Sequence, residues 1–232
     1  MQDKKNLVAI ALVFLFSIAV AFSNLAEQKA VDESKIPEKV EESRGFQRWI
    51  TNMKNKDLEV EADEFELVEQ NEIYNTKWIK IYSSDDDTQK AEYDRQIAEH
   101  KDLEDVEFSP SERAFVDWRQ LERYDYKPNE VRYYGLRDDK IFDARIVDCS
   151  VRANCYFDRA YFLDSSNDLF VISEFSMDIP DEDSEETFVP CSIDTECTYT
   201  IKVHVVDMIN NKRSIYKSEE KQLVLSEVIP EL

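Results

Sequence analysis

The sequence predicts an α+β protein: an N-terminal membrane helix or signal, a mixed helix and strand region, and a C-terminal antiparallel β-sandwich. Three observations carry this. An uncharged apolar run opens the chain. From about Lys140 onward apolar residues recur at every second position, the period of a strand with one buried face. The only four cysteines form two copies of one cassette, Cys149 to Cys155 ("CSVRANC") and Cys191 to Cys197 ("CSIDTEC"), each flanked by strand-like sequence. The implied organisation is a leader over residues 1–26, a polar linker over 27–43, a mixed α/β region over 44–127 and a disulfide-stapled sandwich over 128–232.

Lys4 and Lys5 precede the run "LVAIALVFLFSIAVAF", residues 7–22. As a helix it spans about 24 Å, and extension to Ala26 brings it to the thickness of a hydrocarbon core, so residues 7–26 are read as the membrane partner. Ala21-Phe22-Ser23 also has the small-residue spacing of a signal-peptidase site. An uncleaved single-pass anchor and a cleaved leader of a secreted chain both stay open. In either case the lysines remain on the cytoplasmic side and residues 27–232 lie outside. The segment "NLAEQKAVDESKIPEKVEES" then has few large apolar side chains and reads as a solvated spacer.

Phe46, Trp49, Ile50 and Met53 fall on one face of a short amphipathic helix. "LEVEADEFELV" alternates, with Leu58, Val60 and Ala62 together, and with "TKWIKIY" it predicts two or three strands that turn between Glu69 and Asn75. A polar helix follows from about Asp86 to Lys101, capped by Ser83 or Ser84, with Asp85, Asp86 and Asp87 favouring its dipole. Ser109-Pro110-Ser111-Glu112 has the spacing of a capping box and predicts another helix that buries Ala114, Phe115, Trp118 and Leu121. The expected domain boundary falls at Pro128. The tyrosine-rich stretch from Tyr124 to Tyr134 is read as a strand at that junction, with a recognition surface as the alternative.

"KIFDARIVDC" places Phe142, Ala144 and Ile146 on one face. "CYFDRAYFL" and "LFVISEFSM" flank a hairpin turn, Asp164 to Asp168; "TFVPC" is a short strand. In "CTYTIKVHVVD", Tyr199, Ile201, Val203 and Val205 point inward while Thr200, Lys202 and His204 point out; "NNK" then turns into "RSIYKSEEKQLVL". Strands this short and closely spaced mean a sandwich or barrel.

Each cassette, read as the loop between adjacent antiparallel strands, brings its two cysteines near bridging distance. Pairing within each cassette is favoured, at about 2 kcal/mol per ring. Pairings between cassettes would instead join two sheets, and a four-cysteine zinc site would need closer ligand spacing. An exported chain meets the oxidising conditions that disulfides need.

The stretch "TYTIKVHVVDMINNKRSIYKSEEKQLVL" resembles the last two strands of immunoglobulin-like domains, especially those of the polycystic-kidney-disease type, through Tyr199, Val205, Val206 and Asp207. The resemblance implies an immunoglobulin-like topology and a spacer, adhesion or binding role.

A net charge of −22 opposes phosphate backbones, so no nucleic-acid partner is expected. With only two glycines, phosphate-cradling loops are excluded. Asp181, Asp183 and Glu185 could chelate calcium, but the loop lacks the glycine a tight calcium loop uses and a solvated acidic loop is the preferred reading. No catalytic residues are assigned and no other cofactor is expected. The histidines, His100 and His204, are read as exposed polar positions. The expectation is a membrane-anchored or secreted extracytoplasmic binding or structural protein with an unidentified protein or envelope partner. The alternative is an extracytoplasmic hydrolase or an accessory subunit of an envelope enzyme, which a pocket of carboxylates around either histidine would favour.

Overall fold

A computed structural model describes residues 33–74, 77–119, 129–150, 152–178 and 188–229. The apolar segment 7–26, Tyr124 and Tyr126, and the calcium candidates Asp181, Asp183 and Glu185 lie outside these residues. No helix among the described residues is long and apolar enough to cross a membrane.

The fold is mostly β, two antiparallel sheets with few helices. Two short helices come first, α1 (Glu38–Glu41) and α2 (Arg44–Asn55). Ser43 caps α2 by accepting from the Phe46 N–H, and its hydroxyl donates to the Val40 carbonyl (2.6 Å). The predicted face of α2 is buried: Phe46, Trp49 and Met53 are sealed from solvent, with Phe65 against the Trp49 ring. Gly45 permits this approach, because a Cβ there would lie 2.3 Å from the Phe162 carbonyl oxygen.

The chain next enters β1 (Glu66–Asn71) after a 3-10 turn at Ala62–Glu64. The expected strand thus begins later than Leu58. Asp57, in the left-handed conformation, turns the chain out of α2, and Leu58 and Val60 are buried without pairing. After β2 (Ile79–Ser83) comes α3 (Asp87–His100), capped by Asp86 rather than Ser83 or Ser84; its carboxylate accepts from the Thr88 and Gln89 N–H groups.

The helix expected after Ser109 is a β-hairpin instead, β3 (Val106–Phe108) and β4 (Ala114–Asp117). Ser109 N–H donates to the Ala114 carbonyl (2.8 Å) and Ser109 Oγ accepts from Ala114 N–H (3.1 Å). Glu112 takes a positive φ of 56° to close the loop. Ser-Pro and a nearby acid serve a turn as well as a helix start, and burial of both Phe115 and Val116 favours the strand.

Six longer strands complete the fold: β5 (Glu130–Arg137), β6 (Lys140–Asp148), β7 (Cys155–Phe162), β8 (Leu169–Ser176), β9 (Glu196–Asp207) and β10 (Lys212–Val224), followed by α4 (Leu225–Val228). The strand expected at "TFVPC" does not form; from Phe188 onward that stretch is irregular. Pro190 lacks the N–H a ladder needs, and the Asn154 side chain pairs with Cys191 instead, its Oδ1 accepting from the N–H (3.0 Å) and its Nδ2 donating to the carbonyl (2.7 Å).

The first sheet has the order β1-β10-β9-β8-β7 and the second β2-β6-β5-β4-β3. Each is a four-stranded meander with an early strand added antiparallel beside its last member. This departs from the interleaved order of immunoglobulin domains; the two-sheet antiparallel architecture is what stands. Residues 34–232 form one compact unit, and the expected boundary at 128 falls between β4 and β5, hydrogen-bonded neighbours in the second sheet.

Both faces of the first sheet are covered. Tyr199, Ile201 and Val203 meet Phe46, Trp49 and Phe65 in one core, while Phe162, Phe170, Ile172 and Val206 meet Val116, Tyr133, Phe142 and Ala144 of the second sheet in another. The outer face of the second sheet receives α3, whose Tyr93 stacks on Tyr134.

Both disulfides pair within their cassettes, with Cα atoms 5.8 Å apart for Cys149–Cys155 and 6.5 Å for Cys191–Cys197. Neither follows the loop geometry expected of it. The first spans the connection from β6 to β7, strands of different sheets, and so ties the second sheet to the first. The second holds the loop that leads into β9.

Candidate ligand cleft

Cross-strand pairing sets the inner face of the first sheet in rows. Asn71, Arg213, Val206 and Phe170 form one; Glu69, Ile215, His204 and Ile172 the next; Lys217, Lys202, Glu174 and Phe157 a third. Each row starts with a polar residue at β1 or β10 and ends with an apolar one at β8 or β7; Ile215 of β10 and Glu174 of β8 depart from the gradient between. The inter-sheet core fills the apolar half. Over the polar half lies a cleft of about 650 Å³, between the edge strand β1 and the end of β6 beyond its pairing with β2. Glu174, Lys202, His204 and Arg213 line its floor, with Ile146, Cys149 and Arg152 opposite. Val68 and Trp78 stand at its lip, 54% and 38% exposed. Arg145 lies 3.5 Å from the Trp78 ring centroid and pairs with Asp148 at 2.8 Å.

The floor is a buried charge cluster. Glu174 accepts from His204 Nε2 and Lys202 Nζ, each at 3.0 Å, and from Arg152 Nη1 at 3.4 Å. Burial alone would push its carboxyl upward. The His204 hydrogen bond and the Lys202 charge overcome this and hold it well below the usual carboxylate range. An ionised Glu174 can only accept, so His204 Nε2 carries a proton; in the neutral imidazole Nδ1 then has a lone pair. That Nδ1 is buried without a partner among the described residues. Such an unpaired acceptor costs about 1–3 kcal/mol. Burial keeps the imidazole neutral against the opposing pull of Glu174, and the Arg213 and Lys202 charges reinforce it.

Arg213 reaches across the gap, donating from Nη1 to the Ile146 carbonyl at 2.6 Å. Its Nε–H is buried and also unpartnered among the described residues. The Cys149 and Cys155 sulfurs and a Glu174 oxygen all lie within 4.8 Å of one another. Both sulfurs are spent in the disulfide, so this grouping offers no thiolate for a metal, and the same holds for the four-cysteine zinc alternative.

His204 was expected to be exposed. It is 1% exposed, because the second sheet covers the face that alternation marks as outward. His100 is likewise half-buried. It lines a second cleft of about 330 Å³, on the outer side of the second sheet. Its ring stacks on Phe115 (4.5 Å), Nδ1 donates to the Gln96 carbonyl (2.8 Å), and Nε2 lies 3.7 Å from Asp117 Oδ2. The carboxylates here are held by arginines: Asp117 by Arg119, Asp143 by Arg132 and Glu92 by Arg95. Burial, with Asp143 and Glu92 nearby, pushes the Tyr134 hydroxyl up to about 12. Tyr133 turns inward, its hydroxyl donating to Asp168 (3.0 Å). The described part of the tyrosine-rich stretch is therefore a packed strand.

Glu174, Arg152 and Arg213 went unremarked in the sequence, and Lys202 was read only as an outward-pointing strand position. A signal was present for Glu174: it interrupts "LFVISEF", whose consecutive apolar residues mark a strand buried on both faces, where a carboxylate must be paired. Nothing comparable marks Arg213, which sits in an alternating polar strand.

The fold and the cleft define a two-sheet β protein with a charged cavity at one open edge. Comparison with protein-family models, with curated proteins and with solved structures finds no match for this chain.

Proposed function

We propose that this chain is an extracytoplasmic binding protein, membrane-anchored or secreted, that takes its ligand in the cleft between β1 and the end of β6. The observation that carries the reading is the cavity itself, whose size is that of a ligand site and whose floor holds buried polar atoms that have no partner among the described residues. The two disulfides and the apolar residues 7–26 support export. The immunoglobulin-like expectation enters only as a role: a β domain that acts by contact and carries no chemistry of its own.

Trp78 at the lip supplies the test. A desalted small-molecule extract of the source cells should change the emission of the wild-type chain and leave Trp78→Phe unchanged. Equal responses, or none, would end the cleft reading. Labelling of intact cells with an impermeant thiol reagent after mild reduction tests export, which predicts modification at Cys191 and Cys197 without lysis.

A second reading, an extracytoplasmic hydrolase, draws on His100 beside Asp117. Binding is preferred because the Asp117, Asp143 and Glu92 carboxylates there are all neutralised by arginines, which leaves none poised as a general acid.

A further inference from the structure

We propose that the cleft floor binds a small organic acid with a hydrogen-bond donor a few bonds from its carboxylate, as in 2-hydroxy and 2-amino acids; this rests on the cleft reading above. Two unfilled groups of opposite character define the ligand. Arg213 presents a buried Nε–H while its Nη1 serves only a neutral carbonyl, that of Ile146. His204 presents a buried lone pair on Nδ1, since its Nε2–H is committed to Glu174. The two lie near each other, because Arg213 pairs with Val206, two residues along β9 from His204.

The charge balance of the floor favours an anion. Glu174 contributes one negative charge, already met by Lys202, Arg152 and the His204 N–H. Arg213 is a further cation. The exposed Glu69 on the cleft wall attracts it, yet no ion pair joins the two among the described residues, so its charge has no contact partner on the buried floor. A carboxylate accepting from Arg213 gains a charge-assisted bond in a desolvated site. A neighbouring O–H or N–H then satisfies His204 Nδ1. A cation would meet the exposed Glu69 and Glu72 of the cleft wall but leave the Arg213 Nε–H unmet, and a neutral hydrocarbon leaves both polar atoms unpaired. The cleft exceeds the smallest such acids, which leaves room for a side chain extending toward Trp78.

Calorimetric titration of the full-length chain, disulfides intact in mild detergent, tests this. The probes are L-lactate, L-malate and L-phenyllactate, each beside its counterpart without the hydroxyl (propionate, succinate, 3-phenylpropionate), with L-lactamide and inorganic phosphate as controls. At least one hydroxy acid should bind about fivefold or more tighter than its counterpart, and lactamide and phosphate should not compete. His204→Gln keeps a donor toward Glu174 but lacks the Nδ1 acceptor. It should bring the hydroxy acid down to its counterpart's affinity and leave the counterpart within about twofold. Arg213→Gln should weaken both by about tenfold or more. The proposal is overturned if no acid binds, if phosphate binds as tightly, or if His204→Gln weakens both members of a pair alike. Should Arg213→Gln fail to fold, wild-type preference and His204→Gln still decide. A Trp78 response to cell extract without binding of any acid would sink this proposal and spare the cleft reading.

Discussion

At the scale of single residues, the His204 and Glu174 pair makes stability depend on pH. Burial holds the folded His204 below its usual 6.5, so the unfolded chain takes up a proton near that pH which the folded chain refuses. Its contribution is complete above 6.5 and is lost as pH falls toward the folded value. Glu174 acts in the same direction lower down. Its folded value lies below the usual 4.5, so its contribution is present above 4.5 and lost as pH falls through the folded value. Urea denaturation across a pH series should show stability declining on acidification from about pH 6.5. His204→Gln should flatten the first part of that decline, and an unchanged slope would remove His204 from the account. Gly45→Ala is a second case. Its Cβ has no room against the Phe162 backbone, so unfolding should become easier by about 1–3 kcal/mol, read from denaturation midpoints.

At the scale of elements, periodicity was legible wherever a single buried face decided the matter. Phe46, Trp49 and Met53 marked α2, and Phe142, Ala144 and Ile146 marked β6, because one apolar stripe or alternation suffices to place them. His204 escaped because alternation along β9 reveals one covered face and is silent about a second sheet over the other. The stretch after Ser109 escaped because helix caps and tight turns recruit the same residues for the same hydrogen bonds. Asn154 shows how a side chain can replace an element. Its amide pairs with both backbone groups of Cys191 and donates to the Tyr199 hydroxyl at 3.0 Å, from a backbone with φ of 53°. Asn154→Ala should cost about 2–3 kcal/mol and raise amide exchange at Cys191. Exchange unchanged there would mean that the disulfide alone holds this loop.

At the scale of the whole molecule, one side of the sandwich is closed and the other is open. On the closed side β3 packs against β7. On the other, the cleft separates β1 from the end of β6, and Val68, Trp78 and Ile81 expose apolar surface along that edge. The architecture was largely readable; its cavity was not, because it arises where strands distant in sequence fail to meet. Replacing both Cys149 and Cys155 with serine should destabilise by roughly 2 kcal/mol through loop entropy, as a lowered urea midpoint reports. The same pair of changes at Cys191 and Cys197 opens a loop of equal length, yet only the first should alter ligand affinity. Equal effects on affinity would detach the first disulfide from the cleft.

The Cys149–Cys155 corner gives the order of events in the protein's life a physical basis. A nascent polypeptide with reduced thiols possesses every side chain of the binding floor but not the covalent hinge pin beside it. On the binding reading proposed above, competence for ligand would ripen only after oxidation of this pair.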